Sequence, residues 1–317
     1  MYIVSTLHLK IEKQVVLNAQ FPNDVIKHVD SLMDLSDEEL EKIEILFTFG
    51  NHLSEDLLEK MKALRWIHSG QSGVDVLPQK LLLEKDVIVT NSRGINAVAI
   101  AEYVMGVILG IEKNLYQFYD AQKHSEWDFL TRQTEIAGKT MMILGTGNVG
   151  VEIAQRAKAF DLKVLGVNLH GYNQTGFDEV YLFSDLIKII NRADYLVLAM
   201  PLTELTYHAI NEKVFEQMKT TAILLNVGRG AIIKTEDLII ALKENKIRMA
   251  VLDVFEEEPL EKDSELWKMK EVVITPHIAG DRIKDYTNRM LHILCENLSV
   301  YPKFEKMKNI VNLKDGY

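Results

Sequence analysis

The sequence has 317 residues, enough for about two domains of roughly 150 residues each. Apolar residues make up 47% and charged residues 26%, a balance typical of a folded protein in water. The net charge of −10 disfavours nucleic acid or an anionic membrane as the main partner. Cys295 is the only cysteine, which excludes an intrachain disulfide framework and a thiolate metal cluster. We expect a cytoplasmic protein without a bound metal.

No segment predicts membrane insertion or secretion. The most apolar stretch, residues 97–111, is shorter than the about 20 residues that cross a bilayer, and Glu102 interrupts it. The first residues, MYIVSTLHLKIEKQ, lack a basic start followed by an uninterrupted apolar run. We therefore expect no contact with a membrane.

Strands and helices are predicted to alternate over the first 95 residues. An amphipathic stretch at 54–63 predicts a helix, and the acidic run at 34–41 indicates a solvated helix start. Short β-branched or aromatic runs predict the strands. This alternation is typical of an α/β layer. The predicted strands are 2–5, 43–49, 66–69 and 87–90.

One long helix is predicted from Asn96 to about His124. At 1.5 Å per residue it would span roughly 40 Å, which is more than a small domain needs. Its apolar side chains would form more surface than one domain covers, so we expect it to connect domains or subunits. Those side chains are Val104, Ile108, Ile111 and Leu115.

After Trp127 the alternation resumes with stronger strands. Each predicted strand is almost continuously apolar, as expected for strands buried on both faces of a parallel sheet. This half of the chain therefore predicts a doubly wound fold. The predicted strands are 140–144, 163–167, 195–199, 222–226, 249–254 and 272–274.

A glycine motif, GTGNVG, lies between the strand TMMIL and a helical segment. Gly145 permits a tight turn, Gly147 lets the backbone approach a pyrophosphate, and Gly150 lets the helix pack on the strand. The N–H groups at the helix start favour an anion. The motif predicts a dinucleotide site, and a glycine-rich turn without a ligand is the alternative. The predicted cofactor contacts are Gly145, Thr146, Gly147, Asn148, Val149 and Gly150.

Asn168 ends the next predicted strand, where an acidic residue about 20 residues after the first glycine binds the ribose in NAD-specific sites. An asparagine removes the repulsion of a 2′-phosphate without adding a cation. It predicts that NAD and NADP both bind, with a slight preference for NADPH. The alternative is an ordinary turn residue at a strand end.

Three further segments place polar groups at the carboxyl ends of predicted strands, where ligands bind in open α/β sheets. In 226–230, Arg229 lies between glycines, and its planar guanidinium suits a carboxylate. The stretch 253–259 is acidic, and 275–280 contains His277. Taken singly, each is more simply a solvated loop or a surface side chain.

Together these segments resemble the D-isomer-specific 2-hydroxyacid dehydrogenases, over nearly the whole chain. The motifs are GTGNVG, MPLTELTYHAIN from Met200, NVGRGAII, LDVFEEEP and TPHIAG, in the family's order. The resemblance implies that Arg229, Glu258 and His277 are the catalytic residues. Glu258 is the glutamate directly before Pro259.

The first half of the chain shares this resemblance. WIHSGQSGVDVLP resembles the family's carboxylate-binding loop, which implies that the N–H groups of Ser72 and Gly73 bind the substrate together with Arg229. VTNSRGINAVAIAEYVMGVIL resembles the family's hinge and dimer helix, which implies a homodimer. The remaining implied cofactor contacts are Pro201, Val227, Gly228, Asp253 and Gly280.

The expected fold is a Rossmann-like doubly wound cofactor domain, residues 95–283, inserted into a flavodoxin-like substrate domain, residues 1–94 and 284–317. The implied activity is NAD(P)-dependent reduction of a small 2-oxo acid to a D-2-hydroxy acid. WIHSGQSGVD is more similar to the glyoxylate and hydroxypyruvate reductase branch than to other branches. The alternative is a dinucleotide-sensing binding protein of the same fold without turnover.

Overall fold

The computed structural model describes residues 1–280 and 283–314. The chain divides into two compact units. Met1–Ile95 and the segment that starts at Lys284 form the first unit, and Asn96–Ile283 forms the second. Residues 281–282 and 315–317, which belong to the predicted domains, lie outside the described residues.

The first unit is built on a five-stranded parallel sheet. Its order is β2-β1-β3-β4-β5, with the reversal of strand order between β1 and β3 that is typical of flavodoxin-like folds. The helices cover apolar cores on the two faces of the sheet. The strands are β1 Tyr2–Ser5, β2 Val25–His28, β3 Ile45–Thr48, β4 Trp66–Ser69 and β5 Ile88–Asn91. The first four helices are α1 Ile11–Gln20, α2 Asp37–Lys42, α3 Glu55–Lys60 and α4 Gln79–Glu84.

The acidic run predicted as a helix start is the N-terminus of α2. The Ser36 hydroxyl accepts from the Glu39 N–H, and the Glu39 carboxylate accepts from the Ser36 N–H. This capping box satisfies two backbone donors that a helix start leaves unpaired. The prediction for this segment is confirmed.

The second unit contains a seven-stranded parallel sheet of order β12-β11-β10-β9-β6-β7-β8. The order reverses between β6 and β9, as in a doubly wound nucleotide-binding fold. The two sheets confirm the predicted fold class. The strands are β6 Thr140–Leu144, β7 Lys163–Asn168, β8 Glu179–Leu182, β9 Tyr195–Leu198, β10 Ile223–Asn226, β11 Met249–Leu252 and β12 Val272–Ile274.

The prediction of one long helix from Asn96 to His124 is wrong. The structure has two helices, α5 Ala97–Glu112 and α6 Leu115–Lys123, separated at Asn114, whose φ of +51° cannot continue an α-helix. The expected apolar surface is also misplaced, because α5 packs along its length into the core of its own unit. Val104, Ile108 and Ile111 are buried, and only Leu115 of the four predicted side chains is exposed.

The exposed apolar surface lies instead on α6 and the segment that follows it. We call this surface the α6 patch. Trp127, Phe129 and Leu130 are 93%, 86% and 88% exposed. Isolated exposed apolar residues are common, but several large ones within sixteen residues of chain are typical of an interaction surface. The patch consists of Leu115, Tyr116, Tyr119, Trp127, Phe129 and Leu130.

The remaining helices complete both units. Those of the second unit are α7 Asn148–Ala159, α8 Leu186–Ile189, α9 Glu212–Phe215 and α10 Thr235–Lys243. The last helix, α11 Tyr286–Val300, packs in the core of the first unit. None of the helices in the described part of the chain is both long and apolar enough to cross a bilayer. Short 3₁₀ helices cover Leu32–Asp34, Phe183–Asp185, Ile190–Arg192, Gly230–Ile232, Glu265–Lys268 and Phe304–Lys306.

Candidate active site

The glycine loop between β6 and α7 leaves open space at the start of the helix. Gly145 has a φ of +103°, and a Cβ there would lie 2.5 Å from the Ala199 carbonyl oxygen. A Cβ on Gly150 would lie 2.0 Å from the Gly145 carbonyl oxygen, whereas a Cβ on Gly147 would meet no atom within 4 Å. Packing therefore requires glycine at 145 and 150. Gly147 borders open space through which a ligand can reach the start of α7.

This space fits the pyrophosphate of a dinucleotide. No side chain caps the start of α7, where Asn148 is the first helical residue. The first N–H groups of a helix lack intrahelical acceptors and attract an anion. Thr146 lies in the loop and Val149 in the first turn of α7, so all six predicted residues of the motif lie at one helix end.

Asn168 closes the turn that follows β7. Its Oδ1 accepts from the N–H groups of His170 (3.0 Å) and Gly171 (2.6 Å). Its Nδ2 donates to the Thr146 hydroxyl (2.9 Å) and the Tyr172 carbonyl (3.2 Å). The side chain thus performs the turn role that was the alternative interpretation, and its link to Thr146 also ties it to the glycine loop.

The Arg229 loop follows β10 and is held by Asn226, which is fully buried. Asn226 donates from Nδ2 to the Arg229 carbonyl (2.9 Å) and accepts at Oδ1 from the Gly228 N–H (3.1 Å). A Cβ on Gly228 would lie 2.9 Å from the carbonyl oxygen of Met200, the residue before Pro201. Sequence reasoning missed Asn226, although an asparagine that ends an apolar strand before a glycine loop is a recognisable signal.

His277, which follows β12, forms a hydrogen-bonded pair with Glu258, which lies between β11 and β12. His277 Nδ1 lies 2.8 Å from Glu258 Oε2, and Glu258 Oε1 accepts from the Phe255 N–H at 3.0 Å. His277 has a φ of +53°, and its backbone N–H donates to the Asp253 carbonyl at 2.8 Å. Because Nδ1 faces the carboxylate, Nε2 is the ring nitrogen that can transfer a proton to another molecule.

Asp253, directly after β11, holds the loop that carries His277. Its buried carboxylate accepts from the Thr275 hydroxyl (2.6 Å) and from the N–H groups of Ile278 and Ala279 (both 2.9 Å). The Tyr103 hydroxyl oxygen lies 2.7 Å from the Thr275 hydroxyl oxygen. Burial raises the pKa of Tyr103 to about 12. Thr275 and Tyr103 lie in quoted motifs, but the sequence predicts no role for them, because their link to Asp253 depends on tertiary packing.

The loops of Arg229 and Glu258 touch each other. A Cβ on Gly230 would lie 1.8 Å from the Phe255 carbonyl carbon, so only glycine allows this approach. Since β10, β11 and β12 are adjacent in the sheet, the structure brings Arg229, Glu258 and His277 to one edge of the second unit. Gly280 ends the same loop, and Val227 follows β10. Among the described residues, no group of three or more His, Cys, Asp or Glu side chains is placed to hold a metal ion.

Ser72 and Gly73 belong to the first unit. They follow β4, at the carboxyl edge of the five-stranded sheet. Asn91 Nδ2 donates to the Ser72 carbonyl at 2.7 Å, and the Ser92 N–H donates to the Gln71 carbonyl at 3.2 Å. Asn91, the last residue of β5, and Ser92, which follows it, therefore hold this loop.

Comparison with known proteins finds a family model within the second unit and relatives along most of the chain. Residues 105–279 match the family model described as "D-isomer specific 2-hydroxyacid dehydrogenase, NAD binding domain". The D-3-phosphoglycerate dehydrogenase of Methanocaldococcus jannaschii is 33% identical over 91% of this chain, which spans only 56% of that protein's length. The glyoxylate reductase of Thermofilum pendens is 32% identical over 91% of this chain and 88% of its own.

A solved structure extends the match to the whole chain. The D-isomer specific 2-hydroxyacid dehydrogenase family protein from Aeromonas salmonicida is 33% identical, with a TM-score of 0.85 over 98% of this chain and 99% of its own. The family predicted from the motifs is therefore confirmed, and with it a nicotinamide cofactor. The chain belongs to the D-isomer specific 2-hydroxyacid dehydrogenase family and is an NAD(P)-dependent D-2-hydroxyacid dehydrogenase.

Proposed function

We propose that this protein reduces a small 2-oxo acid of the glyoxylate or hydroxypyruvate class to the 2-hydroxy acid, of D configuration where C2 is a stereocentre. The observation that carries the proposal is the His277–Glu258 pair, which adjoins the Arg229 loop at the edge of the cofactor-binding sheet. Similarity to the curated glyoxylate reductase of T. pendens supports this substrate class.

The second unit is the proposed dinucleotide-binding domain and the first unit the substrate domain. The reduced nicotinamide, when bound, supplies the hydride. The glycine loop would hold its pyrophosphate at the start of α7. On the resemblance, the other contacts to the cofactor come from Asn168, Pro201, Val227, Gly228, Asp253 and Gly280.

Arg229, Ser72 and Gly73 are the proposed substrate-binding groups. The guanidinium can donate two parallel hydrogen bonds to a carboxylate and also polarise the adjacent carbonyl oxygen. The two N–H groups complete the carboxylate site. Holding the carboxylate and the carbonyl together fixes the carbonyl carbon for attack, which lowers the entropic part of the barrier.

His277 is the proposed proton donor. As hydride reaches the carbonyl carbon, the carbonyl oxygen takes a proton from Nε2 of the imidazolium, and the ring becomes neutral. Glu258 accepts a hydrogen bond from Nδ1, so it stabilises the imidazolium before the transfer and fixes the ring orientation. In the oxidative direction the neutral Nε2 removes the hydroxyl proton.

The loops of the first unit favour a substrate with a small, uncharged side chain. Residues 49–53 follow β3 and residues 70–75 follow β4, and neither segment contains lysine or arginine. A phosphorylated side chain needs a cationic partner. These segments offer neither of the two permanently cationic side chains, which supports glyoxylate or hydroxypyruvate over a phosphorylated acid.

A steady-state screen tests the substrate class. It compares glyoxylate, hydroxypyruvate, pyruvate, phenylpyruvate, a branched 2-oxo acid and 3-phosphohydroxypyruvate with each reduced cofactor. We expect the highest kcat/KM for glyoxylate or hydroxypyruvate. A bulkier or phosphorylated acid that reacts faster would contradict the substrate class. Tight dinucleotide binding without turnover on the whole panel would favour the sensing alternative.

The protein is also proposed to be a homodimer that buries the α6 patch. An exposed group of large apolar side chains is costly in water, and a twofold axis can cover two copies at once. Light scattering at micromolar concentration should give twice the chain mass of 36.2 kDa. Replacing Phe129 and Leu130, which are 86% and 88% exposed, by serine should give a folded monomer. A wild-type monomer would contradict the proposal.

A further inference from the structure

Every carbonyl group from Ser69 to Ser72 accepts a hydrogen bond from a defined donor. A carbonyl held by a side chain or by another strand end has a defined direction. The pairs are Ser69 with Ser92 Oγ (3.1 Å), Gly70 with Tyr286 OH (2.9 Å), Gln71 with the Ser92 N–H (3.2 Å) and Ser72 with Asn91 Nδ2 (2.7 Å).

Fixing a carbonyl also fixes the N–H group of the next residue. A trans peptide is planar, and its C=O and N–H point in opposite directions. The Ser92 N–H binds the Gln71 carbonyl, so the Ser72 N–H points away from the end of β5. In the same way, Asn91 directs the Gly73 N–H away from β5. These are the two N–H groups proposed to bind the substrate carboxylate.

The Asn91 amide cannot turn to another partner. It is 2% exposed, and its Oδ1 accepts from the Arg93 N–H at 3.2 Å. Only the orientation with Nδ2 toward Ser72 satisfies both ends of the amide. The Asn91 backbone is anchored separately, because its N–H donates to the Asn309 carbonyl and its carbonyl accepts from Asn309 Nδ2.

His68 orients the second donor, Ser92. Burial lowers the pKa of His68 to about 3, so the ring stays neutral. The Ser92 hydroxyl donates to the Ser69 carbonyl and therefore accepts from His68 Nε2, 3.4 Å away. His68 Nδ1 then accepts from the Thr90 hydroxyl at 2.8 Å. The groups in this buried chain are uncharged.

We propose that Asn91 is a positioning residue for substrate binding, because its amide holds the peptide between Ser72 and Gly73 with the Gly73 N–H directed at the substrate carboxylate. The inference rests on the proposed function of this loop. A donor held in place before binding loses less conformational freedom when the carboxylate arrives. Asn91 itself does not touch the substrate.

Two variants, each of which lacks one asparagine side chain, distinguish the positioning of the Ser72–Gly73 peptide from general support of the end of β5. Asn91→Ala removes the donor to Ser72. Asn309→Gly removes two donors to the same segment, to the carbonyls of Asn91 and Arg93, but none to residues 69–73. Glycine suits position 309, where φ is +57°. The control therefore loosens the end of β5 without releasing the Ser72 carbonyl.

The readouts are KM and kcat for the best 2-oxo acid, the Kd of oxamate with NADPH present, and the Kd of NADPH. Oxamate carries the carboxylate and carbonyl of a 2-oxo acid but is not reduced. In Asn91→Ala we expect KM and the oxamate Kd to rise by about 10-fold, with kcat lowered less and the NADPH Kd within about 2-fold. Asn309→Gly should leave all four values within about 2-fold.

The inference is overturned if folded Asn91→Ala binds oxamate as tightly as the wild type. It is also overturned if Asn309→Gly weakens oxamate to the same extent. In both cases wild-type turnover of 2-oxo acids leaves the proposed function intact. A wild type that neither reduces a 2-oxo acid nor binds oxamate refutes the proposed function and this inference together.

Discussion

Two loops of the molecule are held in opposite ways. The loop at 70–73 follows β4, and the loop at 275–280 follows β12. Each is fixed by a buried polar side chain at the end of the neighbouring strand, Asn91 beside the first and Asp253 beside the second. Asn91 donates to a carbonyl, whereas Asp253 accepts from N–H groups.

The difference decides which group remains available for a ligand. When a side chain binds the carbonyls, the N–H groups point outward and suit an anion. When a side chain binds the N–H groups, the backbone donors are used up, and the group left for chemistry is a side chain, here that of the proposed proton donor His277. The polarity of one buried residue thus indicates whether the adjacent loop serves through its backbone or its side chains.

The largest expected effect tests whether His277 is the working group of the second loop. His277→Asn should lower kcat by about 10² to 10⁴, the usual contribution of a positioned acid, with little change in cofactor affinity. Asparagine tolerates the positive φ at this position. Steady-state kinetics with the best acid measures the effect.

His208 provides a matched control. It also has a positive φ, +50°, and its Nε2 lies 2.7 Å from the Glu256 carboxylate. His208→Asn removes a histidine–glutamate pair from the same unit and should keep kcat within about 3-fold. Near wild-type turnover in His277→Asn would show that the proton comes from another group.

A smaller effect is expected from Asp253, because it acts on His277 through the loop. In Asp253→Asn, either orientation of the amide places its NH₂ group, which is a donor, against a backbone N–H donor, that of Ile278 or that of Ala279. One of the hydrogen bonds that hold the loop is therefore lost. We expect kcat to fall about 10- to 100-fold, and the NADPH Kd to rise less than kcat falls, since Asp253 is also a proposed cofactor contact. Asp237→Asn is the control, since Asp237 also accepts a backbone N–H, from Glu212. A loss confined to the NADPH Kd would mean that Asp253 acts only on the cofactor and does not position His277.

The smallest effect concerns Asn168, which accepts N–H groups and donates to a carbonyl at once. We expect the wild type to use both cofactors with a slight preference for NADPH. Asn168→Asp keeps the acceptor for the turn and adds a negative charge, which should shift the ratio of kcat/KM toward NADH by about 5- to 30-fold. Asn211→Asp, a similar change at the start of α9, should not shift the ratio. An unchanged ratio in Asn168→Asp would exclude Asn168 from cofactor selection.

Sequence patterns identified the central strands better than the edge strands. The edge strands β5 and β12 were predicted from their apolar runs. β2 and β8, also at edges, were missed because the charged or polar residues in VIKH and EVYL weaken the apolar signal. The break between α5 and α6 was missed because Asn114 in the left-handed region leaves no clear mark in the hydrophobic pattern.

Sequence patterns likewise identified only part of the candidate site. Arg229, Glu258 and His277 lie in motifs that can be read along the chain. Asn91, Ser92 and Thr275 act through partners at neighbouring strand ends, so their roles depend on strand order and register. A sequence alone does not reveal which strands are neighbours.

The vacant space beside Gly147 allows folding to be separated from cofactor binding. Gly147 has a φ of −75°, which alanine adopts freely, and its Cβ would meet no protein atom. Gly147→Ala should therefore melt at the wild-type temperature but lose most of the thermal stabilisation that NADPH gives the wild type. Gly150→Ala, which forces a Cβ against the Gly145 carbonyl, should melt lower even without ligand. On this prediction, the three glycines of one motif divide into two that packing requires and one whose missing side chain leaves room for the proposed dinucleotide.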